Sequence, residues 1–288
     1  MAFGHHILFP IDFSDRSRAA ASCVIALARQ FRARVTVLHV IDLPSGWYST
    51  GEPGFPVMYD VPAIADSARE RLEAFLGPAE PGMTVDYVFE KGEPASRIVS
   101  YASQHGAGLI MLPTHGLGTF RRLLLGSVTA KVLHDATCPV WTAAHVENPQ
   151  MHEHCHVRSI LCAVGRKPES AGIVRFAANL AESYRVPLRL VHAVAEEPGL
   201  VEYAGPEFHD ALLRRGAAEL ADVQRQAGTD LPVFSGVGPV PRVVNDAVIE
   251  YAADLVVIGR GRLHGALGGL RSSAYGIIRE SPCPVLSV

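Results

Sequence analysis

Short apolar runs recur along the chain, and several are apolar at nearly every position rather than at every second one. HILFPI, VTVLHVI and GLIMLP are of this kind. A strand with one wet face alternates, whereas a run that is apolar throughout is buried on both faces, as parallel sheets require. The longer stretches between these runs carry helical patterns. Ser14 precedes the first and Pro94 stands at the start of the third, both helix-start signals. In the first half the pattern predicts strands over 6–11, 34–41, 84–90, 108–113 and 138–143. Helices are predicted over 15–32, 63–77, 94–105 and 126–136. Strands alternating with helices make a doubly wound α/β layer. In such layers ligands bind beyond the carboxyl ends of the strands, where the strand order reverses.

The same pattern occurs twice. HILFPIDFSD (6–15) is echoed by RSILCAVGRK (158–167), and ALARQFRARVTVLHVID (26–42) by ANLAESYRVPLRLVHAVAE (178–196), with His39 in register with His192. KGEPASRIVSYA matches GVGPVPRVVNDA, and DATCPVWTA matches ESPCPVLSV. Units of this length are duplicated globular domains, not solenoid repeats. The expected organisation is two tandem five-stranded parallel-sheet domains over 1–145 and 157–288, joined by a polar, aperiodic linker over 146–156.

Composition narrows the function classes. The 288 residues are 48% hydrophobic and 19% charged, with a formal charge of −3, so each half can bury a core and no broad basic field invites nucleic acid. No run of about 18 uninterrupted apolar residues suggests a membrane span, and the N-terminus lacks the layout of a signal peptide. A soluble cytoplasmic protein is expected. The five cysteines form no CxxC pair, so reduced thiols are expected rather than a disulfide framework.

Candidate chemistry concentrates in LPTHGLGTFRRLLLGSVTAK (112–131). Gly116 can adopt angles closed to other residues and lets a phosphate approach the main chain. Gly126 and Ser127 open a helical pattern whose free N–H groups and dipole favour an anion. Ser127 and Thr129 add hydroxyls, and Asp12 ends the first strand across the expected switch point.

Together with FPID (9–12), VLHVID (37–42) and the Cys-Pro before each last strand, this loop resembles the universal stress protein family over essentially the whole chain. Members that bind ATP carry Gly-x2-Gly-x9-Gly-Ser/Thr. Here the slot reads Pro113-Thr114-His115-Gly116, nine residues, then Gly126-Ser127. The resemblance implies ATP as ligand, with or without magnesium. It implies a contact set of Pro10, Asp12, Val40, Leu112, Pro113, His115, Gly116, Gly126, Ser127, Val128 and Thr129. In that set Asp12 faces the ribose and adenine side, and Val40 and Leu112 line the base pocket. Pro113 departs from the pattern: it removes an N–H and fixes φ near about −65°, which weakens binding rather than abolishing it if the phosphate end is held by Gly116, Gly126 and Ser127.

The second copy departs further. Gly165 stands where Asp12 does, Gly259-Arg260-Gly261 is one residue short, and Arg271 replaces the glycine before Ser272. A structural role is expected for this half. The leading function is an ATP-binding regulatory protein of the stress response, acting through an unidentified protein partner. A nucleotide-free scaffold is the alternative, and an enzyme of slow ATP hydrolysis or nucleotidyl transfer is less favoured, since the loop has no Walker lysine and the chain no GxSxG. Asp12 could instead cap the first helix, and Arg121 and Arg122 could be a solvated loop pair. His39 and His192 read as core histidines. The ligands of HEHCH (152–156) are too crowded on a linker to converge on a metal. PVWTA and PVLSV are expected to pair within the chain as a pseudo-dimer, and a homodimer of such chains stays open. The insertion over 43–62 is either a surface loop, a lid or a subunit contact.

Overall fold

The computed structural model describes residues 3–42, 61–76, 82–113, 125–142, 156–194, 206–260 and 272–288. The first repeat contributes β1 (His6–Ile11), α1 (Asp15–Phe31), β2 (Arg34–Ile41), α2 (Val61–Glu73), β3 (Val85–Lys91), α3 (Pro94–Gln104), β4 (Leu109–Leu112), α4 (Ser127–Asp135) and β5 (Val140–Thr142). The second contributes β6 (Ile160–Ala163), α5 (Ser170–Tyr184), β7 (Leu188–Val194), α6 (Pro206–Ala227), β8 (Val233–Val237), α7 (Val240–Glu250), β9 (Leu255–Ile258), α8 (Ser272–Glu280) and β10 (Val285–Ser287). No helix among the described residues is long and apolar enough to cross a membrane.

The described residues form two compact units, one of residues 3–113 and 126–138, the other of Leu125 and residue 139 onward. In the first the strand order is β3-β2-β1-β4, all parallel, with Phe9 opposite Val37 and Ile7 opposite Leu109. The reversal point falls between β1 and β4. At the centre of this sheet both faces are dry: Leu8, Phe9, Val35, Val37, Leu109 and Ile110 have no exposed surface, which is why these runs are apolar throughout.

In the second unit the order is β8-β7-β6-β9-β10, again parallel. β5 is grouped with this unit and runs antiparallel to β10, with Trp141 opposite Leu286. The two strands hold each other reciprocally: the Thr142 hydroxyl donates to the Val285 carbonyl (3.0 Å) and the Ser287 hydroxyl to the Val140 carbonyl (3.2 Å). The expected intrachain pairing of the two last strands is therefore present.

Local signals explain the helices. Ser14 caps α1, its hydroxyl accepting from the Ser17 N–H at 3.2 Å. Glu93 caps α3 ahead of Pro94, accepting from the Ala95 and Ser96 N–H groups at 3.2 and 2.9 Å and from Lys131 Nζ at 2.9 Å. α1 and α5 each end on an arginine in the left-handed region, Arg32 (φ 49°) and Arg185 (φ 58°), so the duplication extends to backbone conformation.

Gly108 shows how tightly the start of β4 is packed. A Cβ placed there would lie 2.7 Å from the Gly4 Cα and closer still to the Gly4 N. Backbone cannot yield as a side-chain tip can, so Gly108→Ala is expected to destabilise the chain by about 1–3 kcal/mol. Urea unfolding checks this; an unchanged midpoint would contradict it.

Cys138, Cys162 and Cys283 are free thiols. Burial pushes Cys162 up to about 12 and Cys283 up to about 11, so neither is a thiolate at neutral pH. Cys23 is disulfide-bonded, and the expectation of wholly reduced thiols fails at that residue.

Candidate functional site

At the carboxyl end of β1 the chain turns into α1 through Asp12, Phe13 and Ser14. The Asp12 carboxylate is held by Oδ1, which accepts from Ser17 Oγ at 2.7 Å and from the Ser14 N–H at 3.0 Å. Burial alone would raise its pKa, but the bonds from Ser14 and Ser17 outweigh that and hold it below the ordinary carboxylate value. Asp12 is therefore charged at neutral pH, and half of the carboxylate is engaged in the turn before α1. Asp12 thus serves the turn that leads into α1.

Phe13 follows at φ 60°, with its ring 4.4 Å from the His39 ring and the Arg71 guanidinium 4.4 Å above it, a cation–π geometry. His39, on β2, donates from Nδ1 to the Ile11 carbonyl at 2.8 Å. Burial, aided by the Arg71 charge, lowers the imidazole pKa against the opposing Ile11 bond and Asp12 charge. His39 is a structural pin between the ends of β1 and β2. His192 makes the same bond to the Val164 carbonyl at 3.0 Å in the second unit.

On the other side of β1, β4 ends at Leu112, which is buried. Pro113, also buried, offers its carbonyl to the Thr129 hydroxyl at 3.2 Å. That bond ties the first turn of α4 to the end of β4. Gly126 is the N-cap of α4 and supplies no side-chain bond, so the first N–H groups of the helix have no side-chain cap. Its φ of −57° is open to any residue; a glycine here supplies space, not conformation. Ser127 is exposed and Val128 half-buried.

The structure thus brings Asp12, Leu112, Pro113 and Thr129 to neighbouring strand ends at the β1/β4 reversal, with Gly126, Ser127 and Val128 in the helix start attached there. Val40 sits half-buried beyond His39 on β2. Pro10 is buried within β1 opposite Leu38. Thr129 is 5% exposed and its hydroxyl hydrogen is already given to Pro113, so it positions the helix rather than donating outward. His115, Gly116, Arg121 and Arg122 lie outside the described residues, as do His152, His154, Cys155 and residues 43–60 of the insertion. Among the described residues no group of histidine, cysteine and acidic side chains could hold a metal ion.

The second unit contains a feature that the glycine pattern did not signal. A cavity of ≈ 200 Å³ lies at the carboxyl ends of β6, β7 and β9, lined by residues that include Val164, Gly165, Val191, Val244, Ile258 and Ile277. Ser170 closes its base by donating to the Gly165 carbonyl at 2.6 Å, at the position where Ser17 serves Asp12 in the first copy.

The duplicated layer has a counterpart among known proteins. The profile of the universal stress protein family matches residues 4–143 and again residues 156–288. The chain belongs to the universal stress protein family. A universal stress protein of Mycobacterium tuberculosis is 27% identical over 299 residues, covering 98% of this chain and 96% of its own length. One from Methanocaldococcus jannaschii is 32% identical over 135 residues, covering 46% of this chain and 78% of its own length. A crystal structure of a universal stress protein from Archaeoglobus fulgidus superposes with a TM-score of 0.63 at 20% identity, covering 98% of this chain and 95% of that one. That likeness shows the shared tandem universal stress protein fold.

Proposed function

We propose that this universal stress protein is an ATP-binding regulatory protein of the stress response, with the nucleotide held by the first unit. The observation that carries the reading is the start of α4. Its N–H groups have no side-chain cap, and the Thr129–Pro113 bond holds it at the end of β4, beside the strand that ends in charged Asp12. A helix start of this kind favours phosphate through its free donors and dipole. Asp12 can accept from ribose hydroxyls through Oδ2, and Val40 and Leu112 offer apolar surface to the base. Pro113 contributes no N–H, so its part is confined to packing and to the Thr129 bond.

Asp12 is the one acidic side chain in the candidate set. Magnesium would therefore be carried by the nucleotide's own phosphates, not by a protein cage. Occupancy would be read by a protein partner, without fast hydrolysis. The scaffold reading draws on Pro113 and on the committed hydroxyl of Thr129, both of which reduce the donors available to a ligand.

Gly126→Arg tests the reading. The substitution is compatible with the backbone at φ −57° but fills the approach to the helix start. ATP in large excess over its Kd raises stability by about 3–4 kcal/mol, so the thermal midpoint of the wild-type chain should rise with ATP and that of Gly126→Arg should not. Equal midpoint shifts in both proteins would move the nucleotide elsewhere.

A further inference from the structure

Parallel strands put all their amino ends at one edge of a sheet, and in the first unit that edge lies opposite Asp12. A cleft of ≈ 380 Å³ opens there, within the range of about 300–1,000 Å³ typical of ligand sites. Arg29 and Arg32 line it from the end of α1 and Arg34 from the start of β2, with Gly82, Met83 and Thr84 on the approach to β3. A guanidinium is charged at every working pH, so three positive charges share one concave surface. Among the described lining residues there is no carboxylate to balance them.

The fold does not require this charge. The carboxyl end of a helix carries about half a negative charge, which one cation meets. The second copy is an internal control. α5 ends on Arg185 in the same left-handed conformation as Arg32, and each cap N–H bonds the last carbonyls of its helix. Yet α5 has no basic residue in its last turn. With His39 aligned to His192, Glu182 stands at the place of Arg29 and Pro187 at that of Arg34. On the neighbouring strand Val37 pairs with Tyr87 and Leu190 with Val233, which sets Asp230 at the place of Thr84. The same turn is thus built with three arginines in one copy, and with one arginine and two acids in the other.

Guanidinium chemistry selects the ligand. Its planar fork matches two oxygens of a phosphate at once, and linked phosphates present several such pairs in a short span. Arg34 is steadied from behind, its Nη2 donating to the His105 carbonyl at 3.3 Å, and its other N–H groups remain for a ligand. The described lining has no aromatic ring on which a base could stack.

We propose that this arginine cleft binds a soluble condensed phosphate, a di- or triphosphate group recognised by its charge and oxygens alone. The site is remote from Asp12 and α4 and independent of whether the ATP reading holds.

Tripolyphosphate is the probe, titrated by calorimetry into the full chain in a Gly126→Glu background. There a carboxylate closes the start of α4 to anions, so success or failure of the nucleotide reading leaves the outcome unaffected. One equivalent should bind. Arg29→Gln/Arg32→Asn should weaken it at least about tenfold. Glutamine suits a helix turn and asparagine tolerates the left-handed region, and circular dichroism checks the fold. Thr84→Asp, which brings the second copy's acid to an exposed position of the cleft, should weaken binding to a similar degree. Arg185→Asn/Arg214→Gln removes the same charge from the second unit and should leave the affinity within about twofold. ATP should bind this background no more tightly than tripolyphosphate. Absence of tripolyphosphate binding would overturn the proposal, as would full affinity in Arg29→Gln/Arg32→Asn or in Thr84→Asp. An equal loss in the second-unit control would reduce the effect to net charge, and much tighter ATP binding would mean that a base is read; either would also overturn it.

Discussion

Trp141→Ala should destabilise the chain by about 3–5 kcal/mol, the range for removing a large aromatic side chain from a core. Trp141 is 2% exposed and faces Leu286, which has no exposed surface, across the antiparallel β5–β10 pair. The strands are only three residues each, so few backbone bonds are available to hold the pair. The reciprocal Thr142 and Ser287 bonds add little once the packing between them is lost. Trp141→Phe keeps most of the apolar area and should lose less than about 2 kcal/mol. Trp141 is one of two tryptophans, so unfolding in urea is better followed by far-ultraviolet circular dichroism than by fluorescence. A loss below about 1 kcal/mol for the alanine variant would mean that β5 is not packed as described.

Asp12→Ala should act on stability and on ligand binding, and pH separates the two. Oδ1 satisfies the Ser14 N–H and Ser17 Oγ, so the alanine variant should be less stable by about 1 kcal/mol at pH 7. The folded-state pKa lies below the ordinary 3.8. The stabilisation from the charged form is therefore full above that ordinary value and is lost as pH falls through the lower folded-state pKa. The wild type's advantage over Asp12→Ala should shrink below about pH 4. Asp12→Asn retains an oxygen acceptor for Ser14 and Ser17 and should keep most of the stability at pH 7 without this pH dependence. For ATP, loss of a hydrogen bond to a charged group is worth about 1.5–3 kcal/mol, so the alanine variant should bind roughly ten- to a hundredfold more weakly. An unchanged affinity would assign Asp12 to capping alone.

Legibility in the sequence followed the range of the interactions. Strands buried on both faces announce themselves residue by residue, and β1, β2, β4 and β5 fall within a residue or two of the apolar runs that predict them. Ser14 and Pro94 mark helix starts because capping is local. The coincidence of His39 and His192 in the repeat is explained by their matching bonds to Ile11 and Val164. Ser17, which engages the Asp12 carboxylate, is a small polar residue with no signature of its own until α1 brings it back over the strand end. Thr129 looks like a ligand donor by its place after Gly126, yet the chain fold gives its hydroxyl to Pro113.

The second-unit cavity was illegible for the same reason. It depends on Ile173 crossing Gly259 and on Gly165 leaving space, contacts between elements far apart in the chain. A motif comparison weighs Gly165 only as a missing aspartate. Cys23 likewise gave no spacing signal for its disulfide.

The most direct test of the central claim is calorimetric titration of nucleotide-stripped, full-length protein with ATP, beside Asp12→Ala. One ATP should bind per chain through the first unit, with affinity reduced at least about tenfold in the variant. No binding to folded wild-type protein, or equal affinity in both proteins, would contradict it.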